Sequence, residues 1–413
     1  MLAKRIAIWL DQLDSVARPV LVGLVISMLV LGFLYSLYLG NQVRYWDERE
    51  YWDLAQRLVS FHEFGFEGQR AFRPPLYPAF LSFFVAVGLP LWVARLANFA
   101  FLAGTMVLLF RAVSRFTRPV AGLTAAGWVF AYPVLIYAAG TLYPQTLAGF
   151  LLSAVVEAVT DESSKRAPLR AGMAYGLLIL TVPTFAPLLA VLLGWMLWRR
   201  GRAALPRAAC IAGLAALPVV AWGVRNSLVL GHWVLLSTNS GLNLLVGNSP
   251  NTTADSGVNV DLSYLLLPPG LDEVEASRYY QAAALRWIGE HPGQAFALYW
   301  AKLAHYFAVS DQLATAAEAS AAKRLALGVT YAPLLAVLAG RCVWFRRFKW
   351  SSLDGLLVVL YLANGCLAAV FFTRVRFRIP FDLLLIALLA GTLAQLASLI
   401  QPKVAARAES ATR

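Results

Sequence analysis

Tyr45-Trp46-Asp47-Glu48-Arg49-Glu50-Tyr51-Trp52 packs three carboxylates and an arginine between aromatic rings. At helical spacing Asp47, Tyr51, Leu54 and Leu58 share one face. That apolar face holds Asp47 against the body of the protein while Glu50, Asp53 and Arg57 turn elsewhere. A carboxylate fixed in this way beside arginines can serve as a general base. Asp47 also suits a helix start, where a carboxylate caps free N–H groups and meets the positive end of the dipole; the two roles are compatible. A second stretch, Arg73-Pro74-Pro75-Leu76-Tyr77-Pro78, sets an arginine before a proline pair that stiffens the backbone and prepares a helix start. A third places Arg374, Arg376 and Arg378 at alternate positions. With Arg44, Arg49, Arg70 and Lys302 these make a set of cations suited to an anionic ligand, and a phosphate matches the guanidinium fork. The bland reading of any single one is snorkelling or pairing with a neighbouring carboxylate.

Metal chemistry has less support. His62, His232, His291 and His305 show no ligand spacing, and Cys210, Cys342 and Cys366 form no CxxC pair. No metal ligands are assigned, and a divalent metal ion is the one cofactor left open. Asn251-Thr252-Thr253 is an acceptor sequon.

The elements that position these residues are membrane helices. The chain has 413 residues, 60% hydrophobic and 14% charged, whereas a soluble protein carries about 25% charged residues. Its net charge of +13 is explained by basic loops that fix orientation in a bilayer, not by nucleic acid. The run from Val20 to Leu39 is a retained anchor, since about 20 apolar residues cross the hydrocarbon core. Ten spans are expected, near 20–40, 90–110, 119–138, 141–160, 171–183, 185–198, 206–229, 325–345, 352–372 and 380–398, with Pro183 and Pro187 marking a break. Four basic clusters, around Arg111–Arg118, Lys165–Arg170, Arg199–Arg207 and Arg341–Lys349, belong in the cytoplasm. Parity then makes 74–89 and 293–309 interfacial helices. Residues 1–413 form a single all-α polytopic domain with both termini cytoplasmic. Its outer segments are 41–89 and 231–324, and 399–413 is a cytoplasmic tail. Arg44, Arg49, Arg70, Arg73, Lys302, Arg374, Arg376 and Arg378 all fall on the outer face, against the charge rule, and charges there often mark a substrate site.

Asp47-Glu48 after the first span, followed by Arg73-Pro74-Pro75-Leu76-Tyr77-Pro78-Ala79-Phe80-Leu81, resembles the GT-C superfamily of integral-membrane glycosyltransferases. The branch is that of the protein O-mannosyltransferases and the lipid A aminoarabinose transferase. The likeness continues in Arg225-Asn226, in Ser237 to Leu244 with Asn243, and in Gly247-Asn248-Ser249-Pro250. It returns in Ile288-Gly289-Glu290-His291-Pro292-Gly293, Lys302 and Arg376-Phe377-Arg378-Ile379-Pro380. Two positions depart from it: Gln145 stands where relatives often carry an acidic residue, and Val182 where they often carry arginine.

The resemblance implies a GT-C-like bundle in the plasma (bacterial inner) membrane, acting on the periplasmic or extracellular side. The donor would be a polyprenyl-phosphate-linked sugar and the acceptor a lipid, glycan or protein, with membrane lipids around the bundle and no nucleic acid. Asp47 of the acidic pair Asp47/Glu48 would be the base. Arg73, Arg374, Arg376, Arg378, Lys302 and Arg49 would contact donor phosphate. Tyr51, Tyr77, Tyr143, Gln145, Asn243, Asn248 and His291 would line the cleft. A non-enzymatic flippase of lipid-linked sugars is the rival. It needs the cations but not the base, and it would place polar groups near the bilayer midplane, where the expected spans carry almost no charge.

Overall fold

The computed structural model describes residues 2–66, 68–309 and 321–410. Most of the Ala-rich stretch from Ala314 to Ala322 and the last three residues of the tail lie outside them. The described residues are helical, apart from turns, loops (the longest over residues 248–272) and one isolated bridge between Phe66 and Gln69.

The outer wall begins with α1 (Leu2–Leu39), of whose apolar stretch only 22% is buried, and the bundle closes on α16 (Val375–Ser410), of whose apolar stretch 78% is buried. The difference follows from surroundings. Beside α16 run α1, α5 (Pro119–Phe130), α7 (Gln145–Thr160), α14 (Ala321–Val343) and α15 (Ser352–Val370), so most of its apolar residues face protein, and only towards its far end do Leu393 and Leu396 stand exposed.

Among the described residues six helices are long and apolar enough to cross a bilayer: α1, α4 (Leu91–Phe116), the pair α9–α10 (Phe185–Arg200 and Leu205–Leu230) taken as one length, α14, α15 and α16. A seventh arises if α5 and α6 (Pro133–Gly140), bent by 56° at the Tyr132-Pro133 step, are one broken span. Each of the ten expected spans has a helix, but α7 and α8 (Ala167–Thr181) are shorter than a crossing needs, so length alone does not reach ten. The expected break near Pro183 falls between α8 and α9, while Pro187 lies inside α9. Helix α3 (Leu76–Ala86) has 11 residues and α13 (Pro292–Tyr306) has 15, too few for a perpendicular crossing.

Close approach of α8 to α10 depends on glycine. A Cβ at Gly172 would lie 2.7 Å from the Leu214 Cβ, and one at Gly176 would lie 2.7 Å from the Pro218 Cγ. Four residues apart, the two glycines line one face, as small residues do where membrane helices touch.

The bundle has two chemically different ends. At one, the α1 exit, the α4 start and the α16 start gather with α2 (Trp46–Phe61), α3, α11 (Ser240–Gly247), α12 (Glu273–Glu290) and α13. At the other, Arg118 bonds Asp14 at 2.7 Å. There too Glu157 at the end of α7 receives Arg115 and Arg170, each at 2.9 Å, and Arg341 meets Asp354 at 2.5 Å. Helix α4 joins the two ends; 26 residues at about 1.5 Å each give about 39 Å.

Candidate active site

Helix α1 stops at Gly40, whose left-handed backbone (φ +61) lets its N–H bond the Ser36 carbonyl at 3.0 Å. The chain turns and re-enters a helix at Trp46, which puts Asp47 and Glu48 in the first turn of α2. Their side chains then part. Glu48 is buried and accepts from the backbone N–H groups of Arg44 (2.9 Å), Tyr45 (3.3 Å) and Leu142 (2.8 Å). Arg95, fully buried, lies 3.7 Å from it and donates to the carbonyls of Gly40 and Gln42. This pair ties the α1–α2 turn to α4 and to the segment before α7. Glu48 therefore sits as a positioning group beneath the site.

Asp47 faces the other way, into a cationic bracket. Arg73 Nη2 donates to its Oδ1 at 2.8 Å and Arg376 Nη1 to its Oδ2 at 2.5 Å. The same Arg73 nitrogen makes a close ion pair with Glu50. Glu50 was expected to turn away. Three residues beyond Asp47, it stands on the adjoining face of the same helix and reaches the same cation. Arg73 also lies 5.4 Å over the Tyr51 ring, and Arg376 lies 5.7 Å over Tyr143 and 5.2 Å over Phe377. Both arginines keep a buried Nε–H with no partner.

The electrostatics follow from that geometry. Burial works to raise the Asp47 carboxyl, but Arg376 and Arg73 outweigh it and hold the group below its ordinary value. Burial likewise works to lower Arg73, and Tyr51, Asp47 and Glu50 reverse it, so its charge is secure. Burial raises Tyr51, which stays neutral. An ionised carboxylate shared by two guanidiniums is a poor base while the bracket is closed. An anion that takes the guanidiniums would free it.

A wall of tyrosines stands beside the bracket. The Tyr137 hydroxyl donates to that of Tyr45 at 2.6 Å, and Tyr45 and Tyr143 have ring centroids 6.1 Å apart. Tyr137 was not anticipated; an aromatic in a broken span looks like core. Gln145, at the start of α7, is buried with its Oε1 unbonded, as is the Thr146 hydroxyl.

The arginine triplet divides. On a helix, positions two apart point to opposite sides. Arg376 meets Asp47, whereas Arg378 is buried and donates to the carbonyls of Tyr306 (2.9 Å) and Ala308 (3.0 Å), with Asp382 at 3.2 Å. Arg374 packs against Gly257, where a Cβ would come within 2.3 Å of its Nε. Lys302 is also buried and bonds the carbonyls of Gly247 and Phe371, each at 2.7 Å, with the Asn248 Oδ1 at 3.3 Å. Burial draws its ammonium down to about 8. The Asn248 amide donates to the Leu244 and Val370 carbonyls, both at 2.9 Å. Lys302, Asn248 and Arg378 thus tie helix ends together. Tyr77 is buried against Tyr51 and receives a bond from Asn98 at 3.1 Å. Asn243 is half-buried on α11, Arg49 is exposed, and His291 is exposed and stacked on Trp287 at 5.8 Å. Among the described residues no group of three His, Cys, Asp or Glu is placed to hold a metal.

Two further residues fix Arg73. The Glu273 carboxylate, at the start of α12, accepts from the backbone N–H groups of Arg70 (2.5 Å) and Ala71 (3.1 Å) and from the Thr238 hydroxyl. Arg225, near the end of α10, donates to the carbonyls of Arg70 (2.7 Å) and Phe64 (2.9 Å). The strand of loop ending at Arg73 is thereby clamped from both sides by opposite charges. Arg225 belongs to the Arg225-Asn226 motif, but nothing local in the sequence marks Glu273.

No protein-family model matches the chain, and no curated protein sequence matches it. Among solved structures it is similar to ArnT from Cupriavidus metallidurans. The apo form aligns with TM-score 0.41 and 18% identity over 91% of this chain and 77% of that one. The form bound to undecaprenyl phosphate aligns with TM-score 0.41 and 17% identity over 91% and 78%.

Proposed function

We propose that the chain is a membrane glycosyltransferase that moves a sugar from a polyprenyl-phosphate donor to an acceptor at the Asp47 end of the bundle, with inversion at the anomeric carbon. The observation that carries this reading is the Asp47 carboxylate held between Arg73 and Arg376. Two guanidiniums that grip a carboxylate can grip a phosphate equally well. When the donor phosphate enters, it competes for both arginines. Asp47 loses its counter-charges, and its proton affinity rises at the moment a base is needed.

In this mechanism Asp47 takes the proton of an acceptor hydroxyl, whose oxygen forms a bond to the anomeric carbon. The bond from that carbon to the phosphate oxygen breaks, and the electron pair leaves on the polyprenyl phosphate. Arg73 and Arg376 neutralise the developing charge. Tyr45, Tyr137 and Tyr143 provide ring faces against which a sugar can pack. The interfacial setting of α2, α3 and α13, and the outward orientation of this end, belong to the same proposal. Purified protein in nanodiscs, given radiolabelled polyprenyl-phosphate sugars and a membrane-extract acceptor, should form labelled product. Translocation of the lipid without any product would favour the flippase instead.

A further inference from the structure

At the end of the bundle away from Asp47, a crevice opens where α9 passes into α10 beside the ends of α7 and α8. Its floor is apolar, formed by Phe116, Trp195 and Ile211, while Arg199, Arg200 and Arg207 stand at its rim. The rim is not neutralised. Arg200 pairs with Glu162, and Arg207 spends one bond of 2.9 Å on the Glu162 carbonyl. Arg199 is exposed and makes no bond among the described residues. Three guanidiniums thus face one carboxylate. The flanks are apolar and bare: Trp198 is 84% exposed, Leu205 50% and Leu169 48%.

We propose that this crevice is a binding site for an anionic phospholipid of the leaflet at that end. The phosphodiester lies among Arg199, Arg200 and Arg207, and an acyl chain runs over Trp195 and Phe116. Charge complementarity selects the occupant. A cationic rim over an apolar floor fits a molecule that is anionic at one end and hydrocarbon at the other, and the bare flanks give it a lateral entry from the bilayer. Arginines that only snorkel would reach water without enclosing an apolar floor. A free phosphate would leave that floor unused. Basic pockets between membrane helices bind acidic headgroups, and each cation near an anionic membrane surface contributes about 1 kcal/mol, or about fivefold.

Native mass spectrometry of the full chain, titrated with phosphatidylglycerol or with phosphatidylcholine of the same acyl chains, tests this without any turnover assay. The proposal expects one phosphatidylglycerol to be retained at least tenfold more strongly. Arg199→Gln should lower that preference about fivefold, and removing an exposed, unbonded side chain leaves folding unaffected. Glu162→Gln should raise it, since it deletes the competing carboxylate; a merely damaged protein would not bind better. Arg346→Gln/Arg347→Gln, which removes two charges from another loop at the same end, should leave it unchanged. Equal retention of the two lipids, or equal loss in the Arg199 and Arg346/Arg347 variants, would overturn the site in favour of diffuse surface charge. Displacement by glycerol 3-phosphate at the lipid's own concentration would overturn it in favour of a free-anion site.

Discussion

Glu48→Gln separates the two members of the acidic pair. Glu48 is 1% exposed and Arg95 is 0% exposed, so the exchange leaves a buried guanidinium without its counter-charge. Removing one partner of a buried ion pair costs about 3–5 kcal/mol. Arg95 keeps its bonds to the Gly40 and Gln42 carbonyls, which places the expected loss near the low end, about 3 kcal/mol. The new amide also turns an N–H toward the backbone donors of Arg44, Tyr45 and Leu142, so one of their bonds is lost. With an unfolding entropy of about 2.1 cal/mol/K per residue, a chain of this length should melt about 3–4 °C lower. Thermal unfolding in detergent, followed by intrinsic tryptophan fluorescence, measures it. Asp47→Asn should shift the midpoint far less, because its carboxylate is one-fifth exposed and Asn also suits a helix start. If Glu48→Gln melts with the wild type yet loses activity, the division of labour between Asp47 and Glu48 is wrong.

Arg73→Lys and Arg376→Lys should each weaken donor binding by about 10–100-fold, since an ammonium cannot replace a planar fork and a charge-assisted bond is worth about 1.5–3 kcal/mol; titration with labelled donor reads it. Glu273→Ala should raise the donor KM several-fold with little change in kcat, because it loosens the clamp on the loop before Arg73 without touching the bracket; steady-state kinetics separates the two constants. Asp47 is held below its ordinary value in the free protein, so its charge persists to lower pH than in an unfolded chain. Its contribution to stability is complete above the unfolded value and is lost as pH falls through the folded one. The acid limb of kcat/KM should therefore lie below the usual carboxylate range, and that of kcat, read with phosphate on the arginines, should lie higher. Coincident limbs would mean that the arginines do not leave Asp47 when donor binds.

Much of this was legible in the chain because it is local. Apolar length gave the helices, and the position of Asp47 after the first span, with arginines nearby in the chain, marked the carboxylate that the structure sets between Arg73 and Arg376. What was missed is tertiary. The Arg374–Arg376–Arg378 triplet reads as one cluster, yet helix geometry sends only Arg376 to Asp47, and Arg378 finds the Tyr306 and Ala308 carbonyls. Lys302 looks like a ligand contact until Gly247 and Phe371 close over it. Glu50 lies on the bracket side because positions 47 and 50 are neighbours on a helix, a simpler fact than the apolar face of Tyr51, Leu54 and Leu58 that carries Asp47. The bend between α5 and α6 hides in a run whose composition alone reads as one straight span.

The central claim is that Asp47 accepts a proton during transfer. Asp47→Asn keeps size and the helix start but removes the charge, and it should be assayed for sugar transfer and for donor binding in the same nanodiscs. The account predicts a fall in turnover of about 10²–10⁴-fold with donor affinity retained or improved, since the two arginines no longer have a carboxylate to hold. Turnover within a few-fold of wild type would contradict it.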